Sequence, residues 1–273
     1  MATSSYDAAV ADARWVVFDL ETTGLSVAEG ARIVEIGALK LEGSRVTDHL
    51  FTLVDPEAPI PPAATAVHGL TDADVASQPK LAEAFPRFVD FAADGVLVAH
   101  NLPFDLSFVV AASRELALPP LANATVDLLG LARRLVPGLE SYRLASLARA
   151  FDVSNPSPHR ALGDVAVESQ LLLAFAAAAG EGRTVRELVL LSRELPPEAA
   201  AAAEAVVALE WAAAAQETVA VIYRGREGET ERDITPSRIK ARKGVCYVAA
   251  YCHRSRARRE FRLDRLALAP PEA

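Results

Sequence analysis

Strand-like and helix-like runs alternate along residues 14–183, and this alternation constrains the fold more than any other feature of the chain. Residues 15–18 form an apolar, β-rich run that is typical of a strand buried on both faces. Two further strands are predicted at residues 33–41 and 46–54, joined by a tight turn in a hairpin. Helical spacing of apolar residues follows at 80–93. The pattern predicts an α/β fold, with a mixed sheet that has helices packed on its faces.

Composition places the chain among globular proteins and excludes several other classes. Its 273 residues are 51% hydrophobic and 23% charged, which is unlike a largely disordered chain. No apolar run reaches the roughly 18 residues that span a bilayer. Residues 1–13 hold two aspartates and lack the apolar centre of a signal peptide. Two cysteines, Cys246 and Cys252, are too few for a zinc site alone or a disulfide scaffold. We therefore expect a soluble cytoplasmic protein with no membrane partner.

The sign of the charge changes along the chain. Residues 219–273 hold thirteen Lys and Arg against seven Asp and Glu, which gives +6. Because the whole chain carries −8, the remainder carries −14. Turn-separated strand-like runs predict a small all-β domain at 206–273, after a first domain at 1–183 and a linker at 184–205. A basic domain on an acidic body indicates an anionic partner, although chance surface composition would give the same pattern.

The first acidic segment lies at the end of the first strand. Asp19 and Glu21 are two positions apart, so both side chains project to the same side of the strand, about 7 Å apart along it. Two such carboxylates repel each other unless a cation lies between them. Oxygen ligands favour Mg²⁺ or Mn²⁺ over Zn²⁺. The alternative is a pair of acids that are solvated or cap a turn.

Two further acidic segments follow strand ends and open helices. Asp105 closes the segment HNLPFD, which follows a buried strand predicted at 96–99. His159 and Asp164 open and close the segment HRALGD, which enters another predicted helix. Taken singly, each acid is explained as well by a charge at a helix N-terminus, and His159 by a solvated loop. Three such segments with one repeated geometry are improbable by coincidence, so we expect them to form one site.

The segments FDLETTG, HNLPFD and HRALGD resemble the three motifs of the DEDDh 3′–5′ exonucleases. This DnaQ-like family is related to the proofreading epsilon subunit of bacterial DNA polymerase III, and the resemblance covers about residues 14–178. It implies an RNase H-like fold with a mixed five-stranded sheet flanked by helices. It also implies two divalent cations, Mg²⁺ or Mn²⁺, and His159 as the general base. The implied metal ligands are Asp19, Glu21, Asp105 and Asp164.

Phosphodiester hydrolysis agrees with that implied assignment. The reaction needs an activated water and relief of charge on the leaving 3′ oxygen, and two bound metal ions supply both. Four carboxylates offset the four positive charges of two divalent ions. A neutral His159 can accept the proton of the water because histidine titrates near neutral pH.

The same resemblance implies a pocket for the terminal nucleotide. The implied residues are Thr22, Leu25, Val67, His68, Asn101 and Phe104. Leu25 would separate the last two bases, whereas ordinary core packing is its alternative. For Val67 and His68 an equally good interpretation is turn chemistry, with Gly69 at a positive φ before a capping pair of Thr71 and Asp74. Both interpretations can hold together.

The C-terminal unit resembles a WYL domain, a small SH3-like β-barrel, over about residues 206–268. Its ending FRLDRL fits that family, whereas the eponymous triplet is replaced by Cys-Tyr-Val at 246–248. The resemblance implies binding of nucleic acid or a related anionic ligand. Aromatic rings beside a basic groove hold single strands without sequence preference. The candidate contacts are Tyr247, Arg254, Arg256, Arg258, Arg259, Arg262 and Arg265. Their alternatives are core packing for the tyrosine and a solvated hairpin tip for the arginines.

These features predict a metal-dependent 3′–5′ exonuclease that acts on single-stranded or frayed 3′ ends of DNA, in repair or proofreading. The WYL-like module would grip nucleic acid, and a DNA polymerase or a repair protein would be a partner. Two alternatives stay open. One is an RNA 3′–5′ exonuclease, and the other is a ligand-sensing adaptor with a vestigial nuclease. Five intact catalytic positions weigh against the adaptor.

Overall fold

The computed structural model describes residues 5–155, 157–195, 202–225, 228–242 and 245–270. In these ranges the strands are β1 Arg14–Thr22, β2 Ile33–Glu42, β3 Arg45–Leu53, β4 Val96–Ala99, β5 Thr125–Asp127, β6 Val219–Gly225, β7 Gly228–Arg242, β8 Val245–Cys252, β9 Ala257–Arg262 and β10 Leu266–Leu268. The helices are α1 Pro62–His68, α2 Asp72–Val75, α3 Leu81–Ala92, α4 Leu102–Glu115, α5 Leu128–Leu135, α6 Leu144–Ala150, α7 Ala161–Ala179, α8 Val185–Leu191 and α9 Ala203–Ala215.

The first sheet is mixed and five-stranded, with the order β3-β2-β1-β4-β5. β1 pairs antiparallel with β2, and β2 pairs antiparallel with β3, as the predicted hairpin requires. β4 lies parallel to β1, and β5 lies parallel to β4. The predicted α/β fold with a mixed five-stranded sheet is therefore confirmed. Because β1, β4 and β5 run in one direction, their carboxyl ends meet at one edge of the sheet.

The central strand β1 is buried because helices cover both of its faces. Trp15 and Val17 belong to the apolar cluster on the α7 side of the sheet. Val16 and Phe18 belong to the cluster on the side of α3 and α4, where the ring centroids of Phe18 and Phe88 lie 5.2 Å apart. Alternate residues of one strand therefore enter opposite layers, which explains why the run is apolar throughout.

Helix α7 starts directly on β2, and Gly37 permits this close approach. A Cβ atom at Gly37 would lie 2.6 Å from the backbone carbonyl carbon of Ala161. A larger residue at 37 would therefore displace the start of α7, and with it the carboxylate of Asp164 one turn further on.

By length and composition alone, α7 would also qualify as a membrane-spanning helix. Half of it is buried inside the protein, however, and its acidic residues Asp164 and Glu168 are buried too. A core helix of a globular protein can have the same length and composition, and the burial of α7 indicates that it is such a core helix.

The second sheet is antiparallel, with the order β10-β6-β7-β8-β9. Along β8, Cys246, Val248 and Ala250 are buried in the core, whereas Tyr247 and Tyr251 lie on the opposite face. In the part of the chain that the structure describes, the ladders run in an open series from β10 to β9. The antiparallel sheet is thus present, and its closure into an SH3-like barrel stays a prediction.

The two sheets share one apolar cluster through the helices between them. Val165 of α7, Val206 of α9 and Val248 of β8 belong to the same cluster. Helix α9 contacts both α4 and β7. The predicted linker at 184–205 includes α8, and its residues 196–201 lie outside the described residues. The predicted domain boundaries therefore stay a prediction.

Candidate active site

Three carboxylates meet at the edge where β1 ends. Asp19 and Glu21 project from β1, and Asp164 projects from the first turn of α7. Ligand atoms of these three residues all lie within 4.8 Å of one another. Asp164 also accepts a hydrogen bond at Oδ1 from the side-chain amide of Asn155, at 2.6 Å. A strand, β1, and a helix, α7, thus place three carboxyl groups close together.

Asp105 adds a fourth carboxylate from the first turn of α4. Its Oδ1 accepts a hydrogen bond of 3.3 Å from the backbone N–H of Leu20, the residue between Asp19 and Glu21. The side chain is buried. Among neighbouring charges, Asp105 makes the largest contribution to the raised pKa of Asp19. The structure therefore brings together all four acids that the sequence proposed as metal ligands.

Burial and mutual repulsion make these acids hard to ionise without a cation. Burial is the main cause that raises the pKa of Asp19 and Asp105 well above the usual range, and neighbouring carboxylates add to it. The same two causes raise the pKa of Glu21 to about 8. Asp19 is partly exposed, but its Oδ2 atom is buried and has no hydrogen-bond partner among the described residues. This donor set fits divalent cations, which prefer carboxylate oxygen ligands.

His159 lies beside this cluster in the loop before α7. Its backbone N–H donates a hydrogen bond to Oδ2 of Asp164 at 3.2 Å, and its positive φ of 58° is uncommon for a residue other than glycine. The residue is exposed. Burial raises the pKa of Asp164, and the hydrogen bond from Asn155 and the nearby His159 partly oppose that rise. His159 can therefore exchange a proton with solvent next to the carboxylates.

Glu35 is one of three acids at the site that the sequence analysis missed. It is fully buried on β2, and its two oxygens accept hydrogen bonds from the side chain of Arg160 and from the backbone N–H of Ala161. These contacts fix the segment that follows His159. A single charged residue inside the otherwise apolar run IVEIGAL was the available signal.

Asp127 is the second missed acid, at the end of β5. Its Oδ1 accepts hydrogen bonds from the backbone N–H groups of Asn101, Leu102 and Leu129, at 3.1 to 3.3 Å. Asp127 thereby caps α5 and also holds the start of α4, the helix that carries Asp105. The sequence signal for this capping role was an aspartate directly before a helical run.

Glu168 is the third missed acid, one turn after Asp164 in α7. It is fully buried, and its Oε1 accepts a hydrogen bond of 3.1 Å from the backbone N–H of His100. Its Oε2 is buried without a hydrogen-bond partner in the described ranges. Burial, and then the charges of Asp19 and Asp105, raise the pKa of Glu168 well above its usual range. Glu168 thus adds a buried carboxyl group next to Asp19 and Asp105.

Two of the predicted nucleotide-binding residues are buried beside the carboxylates. Thr22 ends β1, and the His68 imidazole approaches the backbone of Thr22. His68 Nδ1 accepts a hydrogen bond from the N–H of Leu70 at 3.1 Å, and burial lowers the pKa of His68. The turn interpretation also holds, because Gly69 has a φ of 76° and Thr71 opens α2 with a capping box.

The other four predicted nucleotide-binding residues are exposed or half-buried. Leu25 is 87% exposed and Val67 is 54% exposed, so neither is a core residue. Asn101 is exposed, and Phe104 is half-buried with its ring 5.1 Å from that of Phe108. Core packing is therefore excluded as the role of Leu25.

The predicted C-terminal contacts do not form one patch. Tyr247 lies on the sheet face opposite the core, with the guanidinium of Arg242 6.0 Å from its ring centroid. Ladder pairing puts Arg262 opposite Tyr247 and Arg258 opposite Tyr251 on that face, whereas Arg259 pairs with buried Ala250. The remaining three arginines are exposed, in the β8–β9 turn and after β9; they are Arg254, Arg256 and Arg265.

Comparison with known families agrees with this geometry. Residues 16–172 match the model of a family described as exonuclease, and residues 204–269 match that of the WYL domain. The solved structure of exonuclease X in complex with 5′ overhanging duplex DNA is similar, with a TM-score of 0.52 and 28% identity. That match covers 65% of this chain and 99% of exonuclease X.

Two curated relatives match over the first part of the chain. A DNA polymerase III PolC-type of Caldanaerobacter subterraneus subsp. tengcongensis is 37% identical over 162 residues, which are 59% of this chain and 11% of that protein. A DNA polymerase III subunit epsilon-like protein of Rhodobacter capsulatus is 42% identical over 164 residues, 58% of this chain and 23% of that protein. The chain thus spans less than a quarter of the length of these relatives.

Proposed function

The chain belongs to the exonuclease family and carries a WYL domain, and from that premise we propose that it is a metal-dependent 3′–5′ exonuclease. Its substrate is the single-stranded or frayed 3′ end of DNA, from which it releases nucleotides by hydrolysis. The observation that carries the proposal is the convergence of Asp19, Glu21 and Asp164 within 4.8 Å, beside buried Asp105 and exposed His159.

The four carboxylates would hold two divalent cations, Mg²⁺ or Mn²⁺. Occupancy would oppose the burial and the mutual repulsion that raise the pKa of Asp19. It would also give a cation to its Oδ2, which has no hydrogen-bond partner among the described residues. Bound cations supply activation of the attacking water and neutralisation of charge on the leaving 3′ oxygen. Asn155 orients Asp164 through the 2.6 Å hydrogen bond to its Oδ1.

His159 acts as the general base and accepts a proton from the attacking water. Its hydrogen bond to Asp164 and the anchoring of Arg160 on Glu35 hold the loop in place. Its exposure lets the proton pass on to solvent.

The terminal nucleotide is held by Thr22, Leu25, Val67, His68, Asn101 and Phe104. Leu25 inserts between the last two bases, a role that its 87% exposure supports. His68 is buried, and the N–H of Leu70 donates to its Nδ1, so it presents an ordered wall beside the proposed metal ligands. Asp127 fixes the backbone of Asn101 at the entrance of α4.

The WYL domain grips nucleic acid through Tyr247 and the C-terminal arginines, which the +6 charge of residues 219–273 supports. We place the exonuclease domain at 1–183, a linker at 184–205 and the WYL domain at 206–273, and we infer that the second sheet closes as an SH3-like barrel.

The biological setting is repair or proofreading, with a DNA polymerase or a repair protein as partner. Polymerase III relatives support this setting. We place the protein in the cytoplasm, which its two buried, free cysteines, Cys246 and Cys252, support.

Digestion of end-labelled oligonucleotides tests the proposal. Single-stranded DNA and RNA of one sequence, labelled at the 5′ or the 3′ end, are incubated with Mg²⁺, Mn²⁺ or EDTA. We expect a ladder from the 5′-labelled DNA, immediate release of label from the 3′-labelled DNA, and no reaction in EDTA. Faster digestion of RNA would favour the RNA exonuclease. A wild-type protein that digests neither would favour the adaptor.

A further inference from the structure

Two adjoining cavities lie along the second sheet, and the first of them also borders the exonuclease part. The first, of about 580 Å³, is bounded by residues 25–28, α4, α9 and β7. The second, of about 870 Å³, lies against β7, β8 and β9. They adjoin because four residues line both, namely Ala213, Gln216, Ser237 and Arg238. Together they form a continuous depression, which we call the trough.

The trough begins beside the active site. Leu25, at its near end, follows Glu21 by four residues, and Leu102 begins the helix that carries Asp105. Further along, the walls of the first cavity include apolar residues such as Val110 and Ile239. A strand whose terminal nucleotide lies at the carboxylates would pass Leu25 and enter this cavity. Apolar walls suit the bases of such a strand.

The second cavity is basic and aromatic. Four cationic residues line it, namely Arg238, Lys240, Arg258 and Arg259. Glu260 is the acid that lines it, and this carboxylate already forms an ion pair with Lys240. Tyr251 is 41% exposed at its edge. Cations that contact phosphates, beside rings on which bases can stack, are the features of a surface for single-stranded nucleic acid.

Arg238 stands at the junction of the two cavities. It is exposed, and it forms an ion pair with no carboxylate in the ranges that the structure describes. In the first cavity, by contrast, Arg114 is paired with Glu217 and Arg193 with Glu210. Arg238 is therefore placed to bind a phosphate where the apolar walls give way to the basic ones.

We propose that the trough carries the single strand upstream of its 3′ end. The first cavity takes the nucleotides next to the terminal one, Arg238 binds a phosphate at the junction, and the second cavity holds the strand beyond it. This inference rests on the proposed function and adds a path and a junction residue to it. Charge supports this occupant, because residues 219–273, which provide most of the lining of the second cavity, carry +6.

Binding of labelled DNA by the full chain tests this path. Arg238→Ala and Arg258→Ala are compared with Arg224→Ala, a matched loss of an exposed arginine of the same sheet that lines neither cavity. Anisotropy of a long labelled strand is measured in EDTA over a range of salt. We expect each trough variant to bind several-fold more weakly and to flatten the log–log salt slope by about 0.7. Arg224→Ala should match wild type, and Arg238→Lys should restore the slope.

A second measurement separates this inference from the proposed function. Wild type and Arg224→Ala should hydrolyse a trinucleotide at equal rates, because Arg224 lines neither cavity. Loss of hydrolysis in wild type, with the binding differences intact, would refute the exonuclease and leave the trough. If Arg238→Ala bound the long strand as tightly as wild type, or if Arg224→Ala weakened binding equally, the proposed strand path along the trough would be wrong.

Photocrosslinking maps the path directly. A long strand carries 4-thiothymidine at successive positions from its 3′ end and is irradiated in EDTA. Positions near the end should crosslink to peptides around Leu25 and α4, and upstream positions to β7, β8 and β9. Upstream crosslinks confined to the 253–256 turn, outside the trough, would overturn the path.

Discussion

Arg160 donates two hydrogen bonds to one oxygen of Glu35, from Nε at 2.9 Å and from Nη2 at 2.6 Å, although Glu35 is fully buried. The other oxygen of Glu35 accepts the N–H of Ala161 at 2.8 Å. Both residues that follow His159 are therefore fixed to β2. Strand β2, which carries none of the four proposed metal ligands, thus sets the position of His159 and Asp164.

Replacing Arg160 by alanine should destabilise the protein and slow the reaction. The variant leaves a buried carboxylate with only one of its donors, which costs about 3 kcal/mol of unfolding free energy. Urea denaturation measures that loss. Arg149→Ala is the control, because Arg149 is exposed on α6 and, among the described residues, its side chain makes a single hydrogen bond, of 3.5 Å with Ser146. Equal stability of the two variants would show that the Glu35 contact does not hold the loop.

Asp19→Asn should abolish nuclease activity while the fold is retained. The change removes a charged ligand from the centre of the cluster. It also relieves repulsion, so the metal-free variant should melt no lower than wild type at pH 8. Its Tm should no longer rise when Mg²⁺ or Mn²⁺ is added. Normal circular dichroism with more than about a tenth of wild-type activity would refute the two-metal assignment.

Glu168→Gln is the matched control for that variant. It removes the same charge from the same cluster, and the amide oxygen can still accept the His100 N–H. Because Glu168 lies behind the converging ligand atoms, the variant should keep its metal-dependent rise in Tm. An equal loss of that rise would make Glu168 a ligand in its own right.

The metal-free protein should lose stability as pH rises. The pKa of Glu21 is raised to about 8, and those of Asp19, Asp105 and Glu168 are raised as well. A carboxyl with a raised pKa in the folded state adds stability that is complete below its unfolded value of about 4.3 and is lost as pH passes the folded value. The Tm in EDTA should therefore fall between pH 5 and pH 9.

Added Mg²⁺ should oppose that fall, so the difference in Tm between metal-bound and metal-free protein should grow with pH. Differential scanning fluorimetry at each pH, with and without EDTA, gives both curves. A difference that stays constant across the range would show that cation binding does not depend on ionisation of these acids.

Much of the first sheet could be predicted because its strands are long or wholly apolar. The hairpin of β2 and β3 and the buried strand at 96–99 follow from residue pattern alone. β5 has three residues, Thr125–Asp127, which is too short for any periodicity to register. The length of β7, from 228 to 242, could not be predicted, because Pro236 is a turn signal in the sequence. The structure accommodates this proline in a register shift.

The four acids that the structure brings together could be proposed as one site because most of them stand next to the ends of predicted elements. Asp19, Asp105 and Asp164 fall next to a predicted boundary, and the family motifs name them. Glu35 and Glu168 lie inside elements, so their partners are set by tertiary packing. An isolated strand or helix does not reveal that Glu35 meets Arg160, 125 residues away.

His159→Ala should reduce turnover about 10²- to 10⁴-fold, the usual contribution of general acid–base catalysis. The variant's metal-induced rise in Tm should persist, because His159 contacts the proposed ligand Asp164 through its backbone N–H. His49→Ala, at an exposed histidine of β3, is the control and should retain the wild-type rate. If His159→Ala kept more than about a tenth of wild-type turnover, His159 would not be the base.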